Sequence, residues 1–435
     1  MADEQDAVKL SPHRWYVLIV LAIVYTIYNV DRNLVVILAE PIRAEFALND
    51  TQLGLLTGMS FALAFAIAGI PLGFLTDRMN RTRLLAILLT VWSIVTAVCA
   101  FVRTFPTLIL TRVAIGAAES GAAPTSLSIL SDYFPKSQRG RAIGLFYLAT
   151  PVGLALGFAI GGYLVGMVGW RNVFLIAGIP GVFLALLVLL TMREPVRGTF
   201  EPAQKGPALV SSLGSVLGAI GQKKTLLLLM LAAITIIMGQ AGLSAFLPSL
   251  LVREFQLSLE HTGLFMAAIH GVGGAIGMPL GGFMSDYVSK RSLAFAPRMV
   301  SILVFMAAPL ALAGCFAPNI VLTGVCFFIY SILIHTYLGP TLSTYLTIAP
   351  AELRGAMSAA ILVGMNLFGS GVGPQVTGIV SDLFSHWGVD QPLRMAMLFP
   401  AACLFISAGL YLAASGTTAK DAEGIDMSDA PARAH

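Results

Sequence analysis

Charge is scarce in this sequence. Asp, Glu, Lys and Arg make up 11% of the 435 residues, against about 25% in an ordinary soluble domain. The hydrophobic fraction is 57%, more than a water-soluble core can hide, so a soluble fold is excluded. Cysteine is sparse too. Cys99, Cys315, Cys326 and Cys403 lie far apart and without CxxC spacing, which excludes a disulfide scaffold and a thiolate metal cluster. They are expected to be small membrane-facing residues. HExxH, GxxxxGK(S/T) and any Cys/His grouping are missing, which removes zinc-hydrolase chemistry and ATP as the energy source. No metal, no cofactor and no nucleic-acid partner is expected, the net charge being only +4. The two-residue alternation of a membrane barrel is absent. The acidic start MADEQDAVKLSPHR lacks the basic region and short apolar core of a cleaved signal peptide, so the first apolar segment is expected to stay.

What is present is apolar length. In windows of about 19 residues the chain divides into blocks near 15–39, 52–77, 84–102, 105–131, 142–167, 172–192, 225–252, 262–285, 296–317, 319–347, 356–383 and 393–415. Each can cross a bilayer as a helix. The expected fold is an all-α membrane protein of twelve transmembrane helices in two six-helix bundles, 15–192 and 225–415. Residues 1–14 and 416–435 form tails, and 193–224, with Pro195, Pro202 and Pro207, forms the linker. Lys and Arg sort by loop. With both termini inside, 19 of the 26 lie in inner segments, five in outer loops (Arg43, Arg103, Arg171, Arg253 and Arg394), and two, Arg32 and Arg112, within spans. Basic residues gather on the cytoplasmic side, so both termini are expected there, in an inner (plasma) membrane.

The halves repeat. IPLGFLTDRMNRTR at 70–83 returns as MPLGGFMSDYVSKRS at 278–292, and YFPKSQRGRAIG at 133–144 as IAPAELRGAMSA at 348–359. GFLTDRMNRTR resembles the loop motif of the major facilitator superfamily, Gly-x-Leu-x-Asp-Arg-x-Gly-Arg, with Asn80 in place of its second glycine. RVAIGAAESG, FYLATPVGLALGFAIGG and NLFGSGVGPQVTGIVSDLF followed by PLRMAM resemble the Spinster group within it. The resemblance implies twelve pseudo-symmetric helices working by alternating access. It also implies proton-coupled carriage of lysolipid- or sphingolipid-like amphiphiles, with sugars, organic anions or drugs as the other substrate classes. A lipid enzyme or a sensor is the remote alternative. Partners are then a small amphiphilic substrate and membrane lipids, and the protein a monomer. The motif residues Gly73, Asp77, Arg78, Arg81 and Arg83, with Asp286 as a partial counterpart, form by resemblance a cytoplasmic latch that closes when the transporter faces outward.

Asp31, Arg32, Arg112 and Glu119 are ionisable residues inside spans of the first half. A charge at mid-bilayer costs roughly 2.5–3.5 kcal/mol, so such residues face a partner or a water-filled interior. Asp31 and Arg32 point about 100° apart, so each needs a different partner. Asp31 lies about 12 Å below one end of its helix and Arg112 about 10 Å from the same side on the fourth. The expectation is an Asp31–Arg112 pair, with Arg32 turned to the cavity or a neighbouring helix. Glu119 lies two turns deeper on the face of Arg112. Burial and nearby arginines pull its proton affinity in opposite directions, which suits a proton carrier; a static network is the alternative.

The second half offers no charge within its spans. Gln240, Ser244, His270, Tyr330, His335, Tyr337 and Asn366, with Tyr28, Asn29 and Tyr147 of the first half, are the candidates to line a substrate cavity. His270 and His335 read either as hydrogen-bonded interior histidines or as binders of substrate or protons. Pro151, Gly153, Gly373 and Pro374 sit in glycine-rich runs of helices five and eleven. Bending at a hinge and plain close packing both fit them. The stretch 206–224 reads as an interfacial helix or as linker.

Overall fold

The computed structural model describes residues 12–200, 209–289 and 293–422, and its regular structure among them is helical throughout. Ten helical runs are long and apolar enough to cross a membrane. Two features bring the crossings to twelve. Lys136–Thr191 is 56 residues long, room for two crossings of about 20 residues each, and Gly169 within it has φ 76°, a left-handed bend that glycine adopts without a Cβ penalty. Phe105–Glu119 and Ala122–Tyr133 are each too short alone and complete one crossing across Ser120 and Gly121.

The twelve are α1 (His13–Ile37), α2 (Asp50–Arg78), α3 (Arg81–Phe101), α4 (Phe105–Glu119 with Ala122–Tyr133), α5 and α6 (Lys136–Thr191 before and after Gly169), α7 (Lys224–Phe255), α8 (Leu259–Ser285), α9 (Phe295–Phe316), α10 (Ile320–Ile348), α11 (Arg354–His386) and α12 (Pro392–Asp421). Successive helices join through short turns, except that the helix Ala39–Phe46 links α1 to α2 and residues 192–223 link α6 to α7, so two faces alternate. The terminal face carries Pro12, Asn80, Pro135, Arg193 and Ala422; the far face carries Asn49, Thr104, Gly169, Ser258 and Asn319.

Polar residues at the turns start the helices. Asn49 and Gln52 form a reciprocal capping box ahead of α2. Asn80, the residue that departs from the superfamily pattern, accepts the Arg83 N–H at 2.8 Å and caps α3. Thr104 and Asn319 cap α4 and α10. Each cap satisfies N–H groups that the first helical turn leaves orphaned. The internal repeat extends to these details: Thr104 and Asn319 stand 215 residues apart, and α4 and α10 both break in mid-course, after Glu119 and after Ile334.

The four cysteines are buried inside the bundle, where Cys99 donates to Thr111 Oγ1 at 3.1 Å. They fill gaps between helices, not the membrane-facing surface expected for them. The linker holds a helix, Leu209–Gln222, whose Val216 and Ile220 are buried while Leu217 stays exposed.

The two halves meet along α5 with α8 and α2 with α11. Glycine makes these approaches close. A Cβ on Gly162 would fall 2.9 Å from Gly263 Cα, and one on Gly58 2.9 Å from Pro374. Three interface helices also contain wide π turns, at Leu55–Met59 in α2, Ala267–Val272 in α8 and Met365–Val372 in α11.

Candidate functional site

The charged site lies where α1, α2 and α4 converge. Asp31, Arg112 and Glu119 are each no more than 2% exposed; Arg112 and Glu119 act electrostatically on each other and on both Asp31 and Arg32. The expected Asp31–Arg112 ion pair is not formed. Both carboxylate oxygens of Asp31 and of Glu119, and Nε and Nη1 of Arg112, have no hydrogen-bond partner among the described residues. The guanidinium of Arg112 lies instead against the ring of Phe61, 5.3 Å from its centroid. Asp31 and Arg112 are near enough to act on each other, but Phe61 of α2 takes the place of the carboxylate against the guanidinium.

Arg32 turns away from Asp31, as the helix geometry requires. It donates to Tyr28 Oη at 3.1 Å and also approaches Phe61, at 5.1 Å. It lines a cavity of about 120 Å³ between the halves, with Thr57 and Phe61 on one side and Ser244, Ser370 and Pro374 on the other. Tyr25 stacks on Tyr28 and meets Phe146 and Tyr147, an aromatic wall from α1 to α5. Asn29 is turned into helix packing: it donates to Tyr25 O at 2.7 Å, and its Cβ fills the space left by Gly153.

In the second half, His335 Nδ1 lies 2.7 Å from the Ser331 carbonyl and Nε2 3.3 Å from Gln240 Nε2. A carbonyl can only accept, so Nδ1 carries the proton and Nε2 accepts from the amide. His270 Nε2 lies 3.4 Å from Ser244 Oγ, and the two rings meet edge to face at 6.4 Å. Both histidines are hydrogen-bonded interior residues, joined to the cavity through Ser244. Tyr330 and Tyr337 are buried in the packing of the second half. Asn366 donates to Leu362 O within its own helix.

The loop motif divides. Arg81 is buried and binds Asp132 at 2.5 Å, Glu194 at 2.7 Å and the Ser128 and Pro195 carbonyls. Arg197 bonds the Thr76 and Met79 carbonyls. The strand of chain after α6 is thereby strapped beneath α2 and α3. Burial pushes the Glu194 carboxyl up, but the Thr82 N–H and Arg81 outweigh it and hold the group below the usual carboxylate range. Asp77, Arg78 and Arg83 are exposed, and Asp77 engages no partner among the described residues. Gly73 has open space around it. The side chain of Asp286 lies outside the described residues. Pro151 follows a break of α5 at Leu148, and Pro374 follows the π turns of α11. Gly153 and Gly373 sit instead at close approaches within their own halves, against Thr26 and Met238.

At the far face a second network joins the halves. Arg253 of α7 bonds Asp50 at 2.8 and 3.0 Å and Glu40 at 2.7 and 3.0 Å. Ser381 donates to Asp50 at 2.6 Å. Asp382 of α11 accepts the Asp50 and Thr51 N–H groups at 3.0 and 2.8 Å, capping the start of α2 from the opposite half. Every hydrogen bond or ion pair between described residues that crosses the halves belongs to this cluster or to the adjacent Gln375–Thr51 contact. Sequence reasoning missed it, although a signal was present: GIVSD at 378–382 is a third copy of the Gly-x-x-(Ser/Thr)-Asp pattern.

Two helical bundles that meet along glycine seams, with charges buried between them and contacts concentrated at one face, define a multi-pass integral membrane protein of the transporter class. The Major Facilitator Superfamily model matches residues 19–374, and the chain belongs to that family. An MFS-type efflux pump of Mycolicibacterium smegmatis is 29% identical over 96% of this chain and 97% of its own. A hexuronate transporter of Bacillus subtilis is 28% identical over 86% and 88%. The crystal structure of a bacterial homolog to the human lysosomal transporter Spinster, inward-facing and unoccupied, matches with a TM-score of 0.84 at 29% identity, covering 94% of this chain and 98% of that one. Within the superfamily the chain resembles the Spinster transporters.

Proposed function

We propose that this protein is a proton-coupled secondary active transporter that carries an amphiphilic, lipid-like organic molecule by alternating access, and that it is neither a lipid-modifying enzyme nor a sensor. The observation that carries the reading is the set of four ionisable side chains on α1 and α4, three of them buried and Arg32 half-buried at a cavity between the halves, free of ion pairs among themselves. A static network would pair them, because unpaired buried charges are costly. Unpaired, they are available to a proton and to an anionic headgroup, while the aromatic wall of Tyr25, Tyr28, Phe146 and Tyr147 suits an apolar chain. The lipid-like substrate is what the resemblance of the sequence motifs to the Spinster group implies.

A small organic anion is the second reading, favoured by Arg32 at a cavity of about 120 Å³, with Arg112 across the Phe61 ring, and by the hexuronate transporter among the relatives. With the termini placed in the cytoplasm of a plasma membrane, the joined far face is the outer gate and the conformation faces inward, its latch at Asp77 released. The protein acts as a monomer.

The test is uptake into proteoliposomes of 1-oleoyl-lysophosphatidylglycerol, galacturonate and galactose, each with and without a pH gradient. Glu119→Gln is expected to abolish accumulation driven by the gradient and to leave exchange of internal for external substrate intact. Unchanged dependence on the gradient refutes the coupling role.

A further inference from the structure

Phe61, in the α2 turn after the π segment, is 3% exposed and lies between the guanidinium of Arg32 from α1 and that of Arg112 from α4, at 5.1 and 5.3 Å. Room for it is made on α4 by Gly116, where a Cβ would fall 2.6 Å from the Phe61 carbonyl oxygen and 3.2 Å from its ring. Three helices are thus shaped around one aromatic ring.

Among the described residues Arg32 has a single hydrogen bond, to Tyr28, and Arg112 has none, although Glu119 is near enough to act on both arginines and Asp31 on Arg112. The negative π-face attracts a cation without consuming its N–H donors, which lie in the guanidinium plane. A carboxylate would consume them, because it binds the same planar edge that an anionic substrate needs.

We propose that Phe61 is a positioning residue that holds Arg32 and Arg112 apart from Asp31 and Glu119, so that their donor edges stay free for the carboxylate or phosphate of an anionic substrate. Without the ring, each arginine swings to the nearest carboxylate, the two acids and two arginines close into ion pairs, and the anion site disappears. The inference rests on the reading of the site as the substrate chamber and narrows the substrate to an anion, lipid-like or not.

The experiment measures binding to the full chain in nanodiscs for 1-oleoyl-lysophosphatidylglycerol, its zwitterionic choline analogue, galacturonate and galactose, with Phe61→Leu and Phe61→Trp beside the unaltered protein. Two cation–π contacts in a desolvated site correspond to about tenfold or more in Kd. The expected result is that loss in Phe61→Leu for the anionic probes, a much smaller change for any neutral or zwitterionic probe that binds, and recovery in Phe61→Trp, whose ring keeps the π-face. Equal loss for all probes, or full anion affinity in Phe61→Leu, overturns the proposal. Binding of galacturonate without the lysolipid removes the lipid-like substrate while leaving Phe61 testable on that anion. If neither anion binds, the free arginine edges are not an anion site and the proposal falls.

Discussion

Asp382→Ala tests what holds the far face shut. The carboxylate belongs to the second half and the two N–H groups it accepts, at 3.0 and 2.8 Å, open a helix of the first. Hydrogen bonds to an ionised group contribute about 1.5–3 kcal/mol each, and loss of an N-cap costs about 0.5–2 kcal/mol. Asp382 is partly exposed, so water replaces some of the loss, and about 2 kcal/mol for both bonds is a fair figure. These contacts exist only while the halves touch, so the whole amount acts on the equilibrium between conformations, a shift of about 30-fold towards an open far face. Spin labels at Ala44 and Ser385, exposed on opposite halves, report it by pulsed electron resonance. The unaltered protein is expected to give one short distance and Asp382→Ala an added longer population, with Asp382→Asn between them. Identical distance distributions in all three proteins would show that the carboxylate does not hold the gate.

Two further outcomes are expected. Because the Glu194 carboxyl is held below its ordinary range by the Thr82 N–H and Arg81, its contribution to stability is complete above the unfolded-state pKa near 4.3 and is lost as pH falls through the lower folded value. Thermal unfolding in detergent should therefore drop more steeply in acid for the unaltered protein than for Glu194→Gln; parallel pH curves would exclude the role. Gly263→Val places side-chain carbons into the backbone of α5 at Phe158 and Gly162. Such overpacking costs about 1–3 kcal/mol, which should force the seam open and slow transport severalfold, and a normal transport rate would contradict the close approach.

The sequence was most informative where the physics is one-dimensional. Hydropathy marked the crossings, even the two that length alone conceals, because burial in a bilayer is decided by runs of residues and not by their partners. Counting along α1 and α4 brought Asp31 and Arg112 to one level for the same reason, as depth follows from rise per residue. Rotation about the helix axes and the choice of neighbour were not legible. Phe61 took the arginines because α2 passes between α1 and α4, an arrangement set by Gly116 and by packing in three dimensions. The far-face gate was missed for a related reason: Glu40, Asp50, Arg253 and Asp382 sit at helix ends more than 200 residues apart in places, and each alone looks like an ordinary solvated charge.

The glycine seams have a consequence for how such a protein can change. Where α5 meets α8 and α2 meets α11, main chain rests on main chain, so the surface on which the halves rock is largely indifferent to which side chains lie elsewhere. The chamber is the opposite, since Arg32, Phe61, Arg112 and Ser244 act only through their side chains. A lineage can therefore replace the residues that recognise its cargo while inheriting the mechanical joint intact, and selection on the joint falls on a handful of positions where any added carbon is an obstruction.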